Sequence, residues 1–156
     1  MRVHVLEREQ VIPAGIDDVW AFFGDAGNLE AITPPFLGFR VVTPQPIPMA
    51  VGTFIEYRLR LHGVPLRWLT RIEAWEPPHR FVDVQVRGPY GLWHHTHTFH
   101  PHPGGTFIRD RVRYRLPFGP LGVAGLPLVK RDLRLIFDYR HAEISRRFQR
   151  GGVGRR

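Results

Sequence analysis

Residues 82–100, VDVQVRGPYGLWHHTHTFH, carry the densest set of groups in the chain that could do chemistry. Trp93, His95, His97 and Phe99 recur at every second position, so on a β-strand they share one face. Two imidazoles between two aromatics can orient a ligand, move a proton or hold a metal ion. Upstream, Asp83 and Gln85 share a parity; downstream, Asp110 shares one with Val112 and Tyr114. A lone carboxylate on an apolar face is costly to bury, so Asp110 needs an imidazole or guanidinium beside it. Arg140, between Phe137 and Ile144 on a helical stripe, poses the converse problem, and Asp110 or a ligand acid group is its candidate partner.

Strand register decides which of these groups meet. A four-residue turn over 101–104 pairs His95 with Asp110 and His97 with Ile108, whereas a slip of two brings His97 to Asp110. One extra residue in the 88–91 turn points Asp83 and Gln85 inward, opposite His97 and His95. Without it, Val82, Val84 and Val86 face in. Both alternatives stay open. Three functional readings follow: ligand recognition by a few buried polar groups, general acid–base chemistry by a His–Asp pair, and metal binding through His95-x-His97 with Asp83 or Asp110. Beside them stands a hydrogen-bond network that only supports the fold. Ligand recognition is preferred, because His-x-His is a weak motif in a chain with nine histidines. No catalytic residue and no metal ligand is assigned, and no cofactor is expected.

Other chemistries lack their residues. There is no cysteine for thiolate or disulfide chemistry. The one serine, Ser145, sits in no nucleophile motif, and the glycines at 88, 91, 104 and 105 fall at strand turns and form no phosphate loop. The N-terminal residues alternate and lack a signal-peptide core, and no long apolar run could span a membrane, so the expected location is cytoplasmic. The formal net charge is +8, almost all of it arginine. Arg109, Arg111, Arg113 and Arg115 form a ladder that could track phosphates. Yet Glu56 and Glu73 are interspersed on neighbouring strands, and no exposed aromatics interleave to stack bases. The expected partner is therefore a small hydrophobic ligand, with no nucleic acid and no stable membrane insertion. A homodimer is left open.

The elements that must position these groups are legible. Residues 2–12 read as a strand whose inner parity, Val3, Val5 and Val11 or Leu6 and Ile12, is open. Apolar residues at helical spacing predict a helix over 16–23, and a second short one over 28–32 that Pro34-Pro35 stops. Six strands follow between 36 and 118. Among them Ile55, Tyr57, Leu59 and Leu61 oppose Glu56, Arg58 and Arg60, and Trp68, Thr70 and Ile72 oppose Arg67 and Arg71. Residues 117–127, PFGPLGVAGLP, are too rich in Pro and Gly for helix or strand and read as an apolar lid-like loop. A long amphipathic helix spans 128–150 until Gly151-Gly152 ends it, with residues 151–156 a basic tail after one domain over 1–150. One helix cannot cover a seven-stranded curved sheet, so a cavity should remain between them. Parity assigns Tyr57, Trp68, Trp93, Phe99, Tyr114 and Phe137 to its wall; in the register that turns Asp83 and Gln85 inward, these two join His95, His97, Asp110 and Arg140 in a polar cluster within it. Residues 118–126 and the short helices near 22–32 should form the entrance.

This order of elements, with VIPAGIDDVWAFFGDAGNLEAITPP, FVDVQVRGPYGLWHHTHTF, DRVRYRLPFGPLG and IFDYRH, resembles the helix-grip or START-like superfamily, also called SRPBCC. Within it the chain is similar to the bacterial polyketide cyclase/dehydrase-like group, over nearly its whole length. The resemblance implies an α+β helix-grip fold, a curved antiparallel sheet of about seven strands wrapped on a long C-terminal helix, with two short helices after strand 1. It also implies binding of a small apolar or amphipathic molecule. No single activity is implied, because such proteins include carriers, sensors, cyclases and hydrolases. A carrier or sensor is the first expectation, and an aromatase/cyclase-like enzyme with a His–Asp acid/base pair the second.

Overall fold

Alternating apolar and charged side chains over 54–116 require a sheet with one dry and one wet face. The computed structural model, which describes residues 2–153, contains that sheet. Its strands are β1 (His4–Ile12), β2 (Arg40–Val41), β3 (Phe54–Leu61), β4 (Val64–Glu76), β5 (Arg80–Arg87), β6 (Leu92–His102) and β7 (Gly105–Arg115). All neighbours are antiparallel, in the order β1-β7-β6-β5-β4-β3-β2, so β2 to β7 form a meander and β1 closes onto β7. Helix α1 (Ile16–Phe23) and two 3-10 turns (Ala26–Ile32 and Pro35–Leu37) lie between β1 and β2; α2 (Gly119–Ala124) and α3 (Leu126–Val153) follow β7. This is the α+β helix-grip fold.

Helix α3 lies on the dry face and is fastened along β1. Arg8 Nη1 donates to Asp138 Oδ1 at 2.7 Å, and Gln10 Nε2 donates to Ser145 Oγ at 2.7 Å and to the His141 carbonyl at 3.0 Å. Two apolar clusters fill the space beneath: Ile12, Val19, Phe81, Phe99, Ile108 and Ile144 at one end, and Trp93, Val112, Tyr114, Leu133 and Phe137 at the other. Turns take the backbone each position needs. His62 and Gly63 both have positive φ (49° and 79°), the geometry of a two-residue hairpin. Gly105 has φ 133°, and a Cβ there would run into the Ile12 carbonyl, so only glycine lets β1 and β7 close up at this point.

One open reading is resolved and several expectations are corrected. The inner parity of β1 is Leu6, Arg8, Gln10 and Ile12, because these align with Val112, Asp110, Ile108 and Thr106 of β7; Val5 and Val11 face outward. Residues 117–127 are not all loop. Pro120 falls in the first turn of α2, where no intrahelical N–H is needed, and Pro127 enters the start of α3 in the same way. The second short helix is a 3-10 turn over Ala26–Ile32, opened by Asp25, whose Oδ1 accepts from Gly27 N at 2.9 Å. Helix α3 runs through Gly151-Gly152 to Val153 instead of ending there; the rest of the expected basic tail, 154–156, lies outside the described residues. The glycines lower helix propensity without supplying a stop.

Candidate ligand cavity and its polar cluster

The β6–β7 hairpin closes more tightly than a four-residue turn. Both strands continue to His102 and Gly105, which puts His97 opposite Asp110, His95 opposite Val112 and Trp93 opposite Tyr114. On the other side of β6, Asp83 lies opposite His95 and Phe81 opposite His97. Asp83 thus faces in, one pair away from the expected register. Gln85 does not join it: its Nε2 donates to the Tyr90 carbonyl at 2.8 Å and its Oε1 accepts from Tyr90 N at 3.0 Å, clamping the β5–β6 turn.

Charged and ionisable side chains then converge from three strands and a helix. His95 Nε2 lies 2.9 Å from Asp110 Oδ1, and His97 Nε2 lies 2.6 Å from Asp83 Oδ2. His97 Nδ1 is 3.1 Å from the same Asp110 oxygen but poorly aligned, and it has no hydrogen-bond partner. His95 Nδ1 is 3.9 Å from Asp83 Oδ2. Arg140 Nη2 reaches Asp110 Oδ1 at 3.4 Å from α3, with its guanidinium 5.4 Å from the Phe23 ring centre. Phe81, His97 and His95 form a stack, with ring centres 3.9 Å and 3.7 Å apart.

Burial and neighbours set the protonation. Burial favours a neutral Asp110, but Arg140 and the two imidazoles outweigh it and hold this carboxyl well below the usual range. Asp83 is lowered in the same way, against burial, by His95, His97 and Arg140. Burial, and then His97, pushes His95 down. For His97 burial is overcome by the two carboxylates, and its pKa is raised. The consistent state is two carboxylates balanced by Arg140 and one imidazolium on His97. His95 is then neutral, gives its Nε2–H to Asp110 and leaves Nδ1 as a lone pair.

This cluster forms one end of a cavity of about 190 Å³ between α3 and the sheet. Of the residues expected there, Tyr57, Trp68, Asp83, Trp93, His95, His97, Phe137 and Arg140 line it. Asp110 stands behind the imidazoles, and Phe99 and Tyr114 are buried in the packed clusters to either side. Asp83 keeps 20% of its side-chain surface accessible, whereas His95, His97 and Asp110 keep under a tenth, so Asp83 is the member of this cluster most open to a ligand. The lining also includes Phe22, Phe23, Leu29, Phe39 and Tyr90, from α1 and the connecting turns, which strand parity could not assign. Residues 118–126, expected at the entrance, do not line the cavity; Phe118 and Leu121 point to solvent. The arginine ladder is partly neutralised, since Arg109 and Arg111 pair with Glu9 and Glu7 of β1.

A seven-stranded sheet gripping one long helix over a polar-tipped cavity defines a class of small helix-grip proteins. The chain belongs to the family described as polyketide cyclase / dehydrase and lipid transport, whose model matches residues 3–148. Its fold is similar to that of the Zhui aromatase/cyclase from Streptomyces sp. R1128, with a TM-score of 0.74 and 13% identity over 96% of this chain and 95% of that one. It is also similar to TTHA0849 from Thermus thermophilus (TM-score 0.69, 21% identity, 96% and 99% coverage) and to Ara h 8.0201 (TM-score 0.62, 19% identity, 92% and 98% coverage). No curated protein matches the chain in sequence. Among the described residues no helix is long and apolar enough to cross a membrane.

Proposed function

We propose that the protein binds a small hydrophobic or amphipathic molecule in the cavity between α3 and the sheet, as a carrier or sensor in the cytoplasm. The observation that carries this reading is the cavity itself: aromatic and aliphatic walls around a polar cluster of Asp83, His95, His97 and Arg140, with Asp83 its most accessible member. Apolar walls supply affinity through burial, and a few fixed polar groups orient the ligand. Trp68 and Trp93 meet edge to face with ring centres 5.1 Å apart on the cavity wall, so ligand binding should change indole fluorescence. The test is a fluorescence titration with a panel of aromatic compounds and fatty acids. Saturable changes that vanish in a Trp68→Phe, Trp93→Phe protein support the reading, and a flat response across the panel removes it.

A second reading, an aromatase/cyclase-like enzyme, draws on one feature: neutral His95 gives its Nε2–H to Asp110 and keeps Nδ1 free at the cavity wall. That arrangement suits a general base oriented by a carboxylate. His95→Ala abolishing turnover of an enolisable substrate while leaving its binding intact would favour this reading over a carrier.

A further inference from the structure

The sequence assigns no metal ligand, yet both imidazoles turn one nitrogen toward Asp83 and the other toward Asp110. His95 offers Nδ1 to the inside and Nε2 to Asp110; His97 offers Nε2 to the inside and Nδ1 to Asp110. Asp83, His95 and His97 each offer one donor atom, and these three atoms all lie within 4.8 Å of one another. Around a first-row divalent ion, donors about 2.0–2.2 Å from the metal stand roughly 3 Å apart. The Asp83 Oδ2 distances of 2.6 Å to His97 and 3.9 Å to His95 bracket that spacing.

We propose that Asp83, His95 and His97 form a two-histidine, one-carboxylate site for a divalent ion of the Zn²⁺ or Fe²⁺ type, open on its cavity side to an anionic oxygen ligand. Asp110 is then the outer partner that orients both rings, and Arg140 holds Asp110 in place. Metal-ligating histidines almost always give their second nitrogen to such a carboxylate or carbonyl. A purely structural ion-pair network has no need to aim two imidazoles at one shared outer acceptor.

Two further observations point the same way. His97 Nδ1 is buried without a hydrogen-bond partner, 3.1 Å from Asp110 Oδ1. Drawing Nε2 off Asp83 onto a metal turns the ring so that Nδ1–H can align with Asp110. Charge gives the ligand class. A divalent ion set against Asp83, Asp110 and Arg140 leaves one positive charge. A phenolate or the enolate of a 1,3-dicarbonyl neutralises it, and the aromatic walls accommodate the rest of such a molecule. This inference rests on the cavity being a binding site and names the chemistry of what binds.

The test uses the full chain, freed of metal with a chelator and titrated with Co²⁺ as a spectroscopic stand-in for Zn²⁺. The expected result is one Co²⁺ per chain with visible d–d absorption, displaced by Zn²⁺. Asp83→Asn and His97→Gln should each weaken it at least tenfold, and Asp110→Asn, which removes only the outer carboxylate, by about 10–100-fold. His100→Gln, on the exposed end of β6, should leave it unchanged. Adding benzoylacetone, an aromatic 1,3-diketone, should alter the cobalt bands. Absence of the bands overturns the site, as does binding that survives both Asp83→Asn and His97→Gln, while bands indifferent to benzoylacetone overturn its open position. The fluorescence titration, run on the metal-free and the cobalt-loaded chain, separates the two ideas: a responsive cavity without cobalt binding ends the metal site alone, and cobalt binding with a panel silent in both states ends the ligand-binding reading and the open position with it, leaving only the three-residue metal site.

Discussion

The imidazole of His97 lies flat on the ring of Phe81, 3.9 Å between centres and 14° between planes. The pair joins the polar cluster to the apolar core, because Phe81 also packs on Trp20, Trp75 and Phe99. Replacing Phe81 with Leu keeps an apolar side chain but removes the flat face. Stability should fall by at least the about 0.5–1.5 kcal/mol that such a ring pair contributes beyond area. Urea denaturation should show a lower midpoint with an unchanged slope.

Two arginines reach between α3 and the sheet, and they should behave differently. Arg8 and Asp138 keep 33% and 56% of their side chains exposed, so Arg8→Ala should cost no more than about 1 kcal/mol. Arg140 and Asp110 keep 9% each. Asp110→Ala leaves the buried Arg140 guanidinium and the His95 imidazole without their acceptor and should cost about 3–5 kcal/mol. Equal losses for the two variants would contradict this account of the cluster.

Gln85 shares the parity of Asp83, which faces in, but its side chain instead holds the β5–β6 turn by two hydrogen bonds to Tyr90. Gln85→Ala should lower stability by about 1–3 kcal/mol, two net bonds at the usual magnitude, with little effect on the affinity of a cavity ligand. A large loss of affinity at unchanged stability would return Gln85 to the site.

In the metal-free protein, the histidines should give stability a maximum near the ordinary imidazole value, about 6.5. His97 is raised, so its contribution is complete below that value and is lost as pH rises through its folded value. His95 is lowered, so below about 6.5 the unfolded chain takes up a proton that the fold refuses, and stability falls. Asp110 is lowered too; its contribution is present above about 4 and disappears as pH drops toward its folded value. Urea midpoints across pH 4–9 should therefore trace a peak, and His97→Gln should flatten its alkaline side.

Most of the fold could be read from residue types, because alternation on β3, β4 and β7 fixes which face is dry. Tyr57, Trp68 and Asp110 are where parity puts them. What alternation cannot supply is register. Whether His95 or His97 stands opposite Asp110 depends on how many residues the Pro103-Gly104 turn consumes, and parity is identical in both cases. The 88–91 turn poses a separate question: the alternative that set Asp83 opposite His97 is one pair off, since Asp83 stands opposite His95 and reaches His97 diagonally. Phe99 and Tyr114 share the parity of the cavity residues but lie where α1 and α3 press on the sheet, so they are core. Phe39 and Tyr90 come from segments with no period to read, and the helical spacing of 16–23 does not say which way Phe22 turns.

One oxygen of Asp110 is approached by groups from β6 and from α3 while β7 carries the residue itself. A residue with three dependants cannot drift alone. In any lineage where Asp110 is replaced, His95, His97 and Arg140 should change with it, most simply to apolar side chains. The quartet should therefore be inherited as a block, and its loss would mark a branch whose cavity has taken up a different cargo.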